Sequence, residues 1–285
     1  MTHTAARPLD GIGGRTIGGR TLALTGAAML GVITLVAVVG PVLHPHEFDT
    51  QNHTAILEPP NGTHWLGTAR LGEDVLAQTL HGLQKSLLIG TLAAVVSTAL
   101  AAVIGGTAGY LRGRPDTALM WIVDTLLILP SVLVIAVLSP LFVGRSWLWL
   151  VLAVAALGWM LPARVVRTRT LTLRVSGFVR ASRAMGASTW HILRVHLIPN
   201  MFALLAIDCA LSVATAVIAE AGLSYFGFGI QAPDVSLGTL IAAGSTSAVT
   251  YPWTFLAPSA ALVLTVLAVG FIGEGVRRHI EEATR

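Results

Sequence analysis

The chain has 285 residues, of which 54% are hydrophobic and 11% are charged, and its formal net charge is +4. A soluble domain carries roughly a quarter charged residues, so this composition excludes an ordinary water-soluble domain and indicates folding in lipid. The arginines stand at the ends of apolar blocks rather than on one polar face, which argues against nucleic acid as a partner. The single cysteine, Cys209, excludes a disulfide framework or a cysteine-based zinc site within one chain.

The N-terminal end combines a Gly-rich segment with a first apolar block. Residues 1–21 have little to bury and are predicted to be a flexible cytoplasmic tail. Residues 22–43 are longer than the apolar region of a signal peptide, about 7–15 residues, and are predicted to be a retained first transmembrane helix. The polar residues 44–85 follow as an extracytoplasmic segment.

Five further apolar blocks are each close to the roughly 20 residues that a helix needs to cross a bilayer. They cover residues 86–111, 117–143, 146–163, 200–221 and 254–276. The predicted fold class is therefore all-α, a polytopic membrane protein with about six transmembrane helices, five of them in a core domain of residues 86–285. With the N-terminus inside, fifteen of the eighteen Lys and Arg residues are cytoplasmic. This asymmetry predicts that both termini are cytoplasmic and that residues 222–253 face outward with 44–85.

Two small features of this pattern allow more than one interpretation. Gly105 and Gly109 form a Gly-x-x-x-Gly pair that permits close approach of helix backbones, and packing within the chain is favoured over a subunit interface. The outer segment contains four histidines in a Pro- and Asn-rich stretch without helical or hairpin periodicity, so solvated loop residues are favoured over metal ligands. These are His44, His46, His53 and His64.

The loop of residues 164–199 contains seven arginines. A helical reading predicts one apolar-to-small stripe, with arginines opposite it. The stripe consists of Leu171, Val175, Phe178, Ser182 and Met185. Such a stripe packs on the chain's own helices, on lipid headgroups or on a partner protein, and the pattern alone does not choose between them. Gly186 is predicted to end the helix, because glycine accepts the left-handed conformation after a helix.

The chain lacks the common signatures of catalysis. A nucleotide-binding P-loop needs Gly-Lys-Ser/Thr, whereas the only lysine, Lys85, follows Gln84. The patterns Gly-x-Ser-x-Gly and His-Glu-x-x-His are also missing from the sequence. The chain is therefore predicted not to be an enzyme, and no cofactor or metal is predicted in it.

Several motifs resemble those of the permease subunits of ATP-binding-cassette (ABC) importers. Residues 178–186 and 198–200 are similar to that family's Glu-Ala-Ala loop, with Gly186 and Pro199 at the matching separation and Arg180 in place of the Glu. Residues 64–90, 220–253 and 273–277 resemble, in order, the second permease subunit of the dipeptide, oligopeptide and nickel group. Glu73 stands where that group commonly has Arg.

The resemblance implies a type I importer permease fold, in the bacterial cell membrane, that encloses half of a translocation path. The implied partners are a homologous permease, two ATP-binding subunits that hold ATP and Mg²⁺, an extracytoplasmic substrate-binding protein and membrane lipid. Coupling to the ATPase is then expected at the loop. The residues expected to make that contact are Phe178, Arg180, Ala181, Ser182, Ala184, Met185, Gly186, Ala187 and Ser188.

Three acidic residues lie in or at the ends of the predicted spans, namely Asp124, Asp208 and Glu220. Ionisable groups are costly in lipid and face a cavity or a partner. They are predicted either to line the path or, as is favoured, to pair with polar groups between subunits. Phe226 and Phe228 follow the fifth span in a Gly-rich turn, where a gate and an aromatic interface anchor are both open interpretations.

The substrate is the least determined feature. Peptide is favoured over nickel, because the spans contain no His or Cys cluster. A secondary transporter, which would often show inverted repeats, and a membrane-bound enzyme are the rival classes.

Overall fold

The computed structural model describes residues 18–141, 144 and 146–283, and these residues are almost entirely helical. Within them the sole β-type pairing is an isolated bridge between Thr68 and Asp74. The predicted all-α class is confirmed. Most of the predicted tail, residues 1–17, lies outside the described residues, and the first helix already begins at Gly19.

The described residues form twelve α-helices, with a short 3-10 helix at Ser139–Leu141 and a π-helix at Ile192–Leu197. The α-helices are α1 (Gly19–Leu43), α2 (Val75–Leu111), α3 (Gly113–Ile128), α4 (Ser131–Leu138), α5 (Leu148–Gly158), α6 (Met160–Leu173), α7 (Gly177–Ala184), α8 (Thr189–His191), α9 (Ile198–Asn200), α10 (Phe202–Tyr225), α11 (Leu237–Ser245) and α12 (Trp253–Ala283).

Four helices, α1, α2, α10 and α12, are long and apolar enough to cross a membrane. The pairs α3–α4 and α5–α6 also qualify, but they are bent by 80° and 46°. Counting each bent pair as one span gives six, as the sequence predicts.

Prolines account for both bends. Leu129 precedes Pro130 and is extended, with ψ of 124°, because the proline ring disfavours the helical conformation of the residue before it. Pro162 in the first turn of α6 has no N–H to bond the carbonyl of Gly158, which weakens the helix at the second bend.

Two helices extend ten or more residues beyond the predicted borders. Helix α2 begins at Val75, eleven residues before the predicted start, because the Asp74 carboxylate accepts a 2.8 Å hydrogen bond from the Ala77 N–H and caps the helix. Residues 75–85 of the predicted outer segment are thus helical. With 37 residues, α2 is about 55 Å long and exceeds the bilayer core.

Helix α6 continues to Leu173, ten residues into the predicted loop. Its first polar turns are held against α3 by ion pairs. Arg167 donates to both carboxylate oxygens of Asp116 at 2.5 and 2.7 Å, and Arg164 pairs with Asp124. These partners are 51 and 40 residues away in sequence, so a local pattern does not reveal them.

Helix α2 is the centre of the bundle and packs against α1, α5, α6 and α10. The glycines of its Gly-x-x-x-Gly pair, Gly105 and Gly109, lie against the backbone of α6. A Cβ on Gly109 would come within 2.6 Å of the Arg167 carbonyl oxygen, and one on Gly105 would overlap that of Ala163. The favoured interpretation of the Gly-x-x-x-Gly pair, packing within the chain, is confirmed.

Candidate functional site

Helix α7 contains most of the residues that the sequence marks for coupling. It is seated on the chain through Val179 and Ser182, whose exposed fractions are 0% and 3%. Val179 joins a buried cluster with Tyr110 and Ile192, which come from α2 and the π-helix. The short helix therefore has a firm base at one end of the bundle.

Gly186 ends α7 as predicted. Its φ is +84°, in the left-handed region. The Gly186 N–H donates to the Arg183 carbonyl at 3.0 Å, and the Ala187 N–H donates to the Ser182 carbonyl at 3.1 Å. This pair of bonds is a Schellman motif, which satisfies carbonyls at the helix end and turns the chain sharply.

The predicted single stripe is wrong. Helix α6 ends at Leu173 and α7 begins at Gly177, and Ser176 between them is extended with ψ of 154°, so residues on either side of this break do not share a helix face. Of the stripe, Ser182 is buried, whereas Val175 and Met185 are exposed. Val179 is buried although it does not belong to the predicted stripe. The stripe assumes one continuous helix, and the break before α7 changes which residues face the bundle.

The exposed residues in α7 and just after it are small or apolar apart from two arginines. They are Gly177, Phe178, Arg180, Ala181, Arg183, Ala184, Met185, Gly186 and Ser188. Met185 is 81% exposed and Phe178 41%. Arg183 is anchored on its own chain, since its Nε donates to the Tyr110 hydroxyl at 3.3 Å and its guanidinium lies 5.0 Å from that ring centroid. We call these exposed residues the α7 face.

The three acidic residues have different surroundings. Asp124 pairs with Arg164, and both side chains are about half exposed. Asp208 is partly buried and accepts a 3.5 Å hydrogen bond from Thr98. Glu220 is fully buried and accepts hydrogen bonds from the hydroxyls of Ser86 at 2.8 Å and Ser224 at 2.7 Å. The favoured polar pairing is found, but each partner belongs to the same chain rather than to another subunit.

Glu220 connects three helices. The Ser86 hydroxyl oxygen, besides donating to it, accepts a 3.2 Å bond from the Leu237 N–H at the start of α11. Glu220 itself belongs to α10 and Ser86 to α2. A carboxylate 0% exposed does not line a path in this chain, so its predicted contact with substrate is not supported by this placement.

Replacing Glu220 by alanine is expected to lower the thermal stability of the purified protein. The change leaves the O–H groups of Ser86 and Ser224 without their acceptor, at about 1–3 kcal/mol for each buried donor. Glu220→Gln keeps the shape and one acceptor oxygen and serves as the matched control, with a smaller loss. Equal melting temperatures for wild type and both variants would show that the network does not stabilise the fold.

Phe226 and Phe228 flank the turn that follows α10. Gly227 has φ of +81°, and the Phe228 N–H donates to the Leu223 carbonyl at 2.8 Å, so the predicted tight glycine turn is present. Phe226 is 65% exposed and Phe228 38% exposed. The gate and the interface anchor both stay predictions.

The two predicted outer segments meet in one surface. The Trp253 ring N–H donates to the Thr68 carbonyl at 3.2 Å, and Arg70 donates to the Thr246 hydroxyl at 2.6 Å. A cavity of about 440 Å³ lies between the segments. Its walls are largely apolar, but the charged residues Arg70, Glu73 and Asp234 also line it. These two contacts join residues that are 176 and 185 positions apart in sequence. We call the surface that the two segments form together the platform.

The prediction of solvated histidines is wrong for His44 and His64, whose side chains are 8% and 10% exposed, whereas the His46 side chain is 33% exposed. His53 is exposed, but His44, His46 and His64 gather around Asp74, whose side chain is 1% exposed. The sequence spacing does not predict this cluster, because the ends of α1 and α2 bring the residues together and no regular element connects them.

These features define the class of the chain as a multi-pass membrane protein, in which bent and straight spans surround buried polar groups. The chain belongs to the family of binding-protein-dependent transport system inner membrane components, whose profile matches residues 101–285. A second profile, the N-terminal TM domain of oligopeptide transport permease C, matches residues 19–60. The resemblance seen in the sequence motifs is thereby confirmed.

Three similar proteins are named as permeases of peptide transport systems. The oligopeptide transport system permease protein OppC of Mycobacterium tuberculosis is 47% identical over 264 residues, which are 92% of this chain and 91% of that protein. The dipeptide transport system permease protein DppC of Bacillus subtilis is 34% identical, over 93% of this chain and 82% of its own. OppC of Bacillus subtilis is 32% identical, over 93% and 86%.

Proposed function

We propose that this chain is the second membrane subunit of an ATP-driven importer of di- or oligopeptides. The observation that carries the proposal is its 47% identity, over 92% of its length, to a permease named for oligopeptide transport. The relatives named for dipeptide and oligopeptide transport favour peptide over nickel or another small solute. A homologous permease subunit completes the translocation path.

The α7 face docks an ATP-binding subunit. Two features support this assignment: the firm seat of α7 on Val179 and Ser182, and the small side chains that it turns outward. A rigid base is required of any element that transmits a motion. Arg180, where the family has an acid, lies on this face and makes its charge positive, so the groove that receives it is expected to offer acidic or carbonyl groups.

ATP hydrolysis is assigned to two partner subunits that bind ATP and Mg²⁺. The sequence supports this assignment by the absence of a Gly-Lys-Ser/Thr motif. The distribution of Lys and Arg supports cytoplasmic termini and an outward-facing platform of residues 44–74 and 226–253. An extracytoplasmic binding protein delivers the peptide to this platform, and Glu73 lies at its cavity.

Reconstitution of the complete complex in proteoliposomes tests the proposal. Uptake of a labelled peptide is expected to need ATP, the binding protein and this chain together, and to be competed by unlabelled peptide but not by Ni²⁺. Uptake that persists without the ATP-binding subunits and follows an ion gradient would identify a secondary transporter instead. Nickel uptake that peptides do not compete with would favour the small-solute alternative.

A further inference from the structure

A compact cluster of nitrogen and oxygen ligands joins the end of α1 to the start of α2. His44 is the C-terminal cap of α1, and Asp74 is the N-terminal cap of α2. The ligand atoms of His44, His46 and Asp74 all lie within 4.8 Å of one another. The cluster is separate from the α7 face and from the Glu220 network.

The Asp74 carboxylate is held in place by the protein. One oxygen accepts from the Ala77 N–H at 2.8 Å, and the other lies 2.8 Å from Nδ1 of His64. His64 is itself buried, with 8% of its surface exposed. A carboxylate oriented by such outer contacts is typical of a metal ligand.

The remaining contacts are too long for hydrogen bonds and close to the spacing of metal ligands. Nε2 of His44 lies 3.7 Å from one Asp74 oxygen, and Nδ1 of His46 lies 3.9 Å from the other. Ligand atoms about 2.0–2.1 Å from a tetrahedral zinc ion are roughly 3.3–3.4 Å apart. Since the three ligand atoms lie within 4.8 Å of one another, they must close by up to about 1.4 Å to surround one ion.

The ring nitrogens are also arranged for coordination. Within the described residues, Nδ1 of His46 is buried and has no hydrogen-bond partner. Nδ1 of His44 lies 3.2 Å from the His46 N–H, from which it can accept, and 3.3 Å from the His46 carbonyl oxygen, to which it can donate. A metal on Nε2 requires the second tautomer, in which Nδ1 carries the proton. A buried nitrogen with a lone pair and no donor is an unexplained polar group in a folded chain.

We propose that His44, His46 and Asp74 bind a divalent transition-metal ion such as Zn²⁺, with His64 as the residue that positions Asp74. Two imidazoles and a carboxylate suit zinc and its neighbours, whereas Ca²⁺ and Mg²⁺ favour all-oxygen sites. A fourth position is left for water or another ligand. The ion staples the end of α1 to the start of α2, which revises the sequence prediction of no metal in this chain.

A route to the site is present. A cavity of about 350 Å³ adjoins the cluster, and its lining includes His44 and His46 together with Glu47 and Asp49. These two carboxylates give the opening a negative charge that attracts cations. The metal in this proposal is a structural ion and not cargo, so the proposal does not depend on what the importer carries.

Equilibrium dialysis of the purified complex against Zn²⁺, with metal content measured by mass spectrometry, tests the site. The complex carries an affinity tag without histidine. The variant H44Q/H46N keeps the shape of both side chains and removes the ligand nitrogens. His53→Gln, at the exposed histidine of the same segment, is the matched control.

Wild type and H53Q are expected to bind one more zinc ion per chain than H44Q/H46N, and zinc is expected to raise the melting temperature of the first two only. His64→Leu is expected to weaken binding about 10- to 100-fold, as loss of an outer partner does. Equal zinc content in wild type and H44Q/H46N overturns the proposal. If the double variant does not fold, His46→Asn alone must lose the extra ion, because the His46 side chain is 33% exposed and its Nδ1 makes no hydrogen bond.

Discussion

Replacing Gly186 by leucine is expected to uncouple transport from ATP hydrolysis while the protein still inserts into the membrane. Gly186 has φ of +84°, and no neighbouring atom lies within 4 Å of a Cβ built on it, so the strain comes from the backbone alone. A left-handed L-residue costs about 1–2 kcal/mol, which changes a conformational population by roughly 5- to 30-fold. This cost would destabilise the Schellman turn at Gly186, which fixes the end of α7.

Two companion variants separate the turn from the docking contact. Gly186→Asn is the matched control, because Asn tolerates the left-handed region, and it is expected to retain most of the uptake. Ala181→Glu leaves the turn intact and puts a charged side chain on the α7 face, so it is expected to abolish uptake as well. The measurement is ATP-driven peptide uptake into proteoliposomes of equal protein content. If uptake survives both Gly186→Leu and Ala181→Glu, the α7 face is not the docking site.

The second large effect is expected at Gly105. A leucine there cannot be accommodated by a rotamer change, since its Cβ already overlaps the Ala163 carbonyl oxygen and lies 3.0 Å from the Val166 Cβ. Overpacking of a core costs about 1–3 kcal/mol, and a clash with backbone costs more because two helices must separate. Separating α2 from α6 would also disturb the ion pair between Arg167 and Asp116 that holds α6 against α3.

The expected result is loss of folded protein. The measurement is the yield of monodisperse protein in mild detergent together with its melting temperature. Gly31→Leu is the matched control, because Gly31 is exposed in α1 and a Cβ there meets no atom within 4 Å. A melting temperature of Gly105→Leu equal to that of Gly31→Leu would show that the contact of α2 with α6 is not required.

Features that depend on neighbouring residues could be predicted from the sequence. The six spans follow from apolar length, because a helix in lipid needs a continuous apolar stretch to satisfy its backbone. The helix end at Gly186 follows from the conformational freedom of glycine. Close packing at Gly105 and Gly109 follows from their missing side chains, which let two helix backbones approach. The identity of the opposing helix, α6, does not follow from this pair.

Features that depend on distant residues could not be predicted from the sequence. The histidine cluster depends on Asp74, which is 10 to 30 positions away from the histidines around it. The extension of α6 depends on Asp116 and Asp124, and the burial of Glu220 on Ser86, 134 residues earlier. The start of α2 is by contrast a local feature, because the Asp74 carboxylate caps the Ala77 N–H three residues on and is a helix-start signal in the sequence.

By itself the sequence determined the membrane location, the helical class, the family and the glycine that ends α7, since each is set by composition or by one residue's own conformational preference. Tertiary structure alone decided where the polar groups are satisfied. A buried carboxylate or imidazole must find a partner, and which partner it meets depends on how the helices pack. For this reason the histidines expected in solvent lie around Asp74, and Glu220 lies among serines of its own chain.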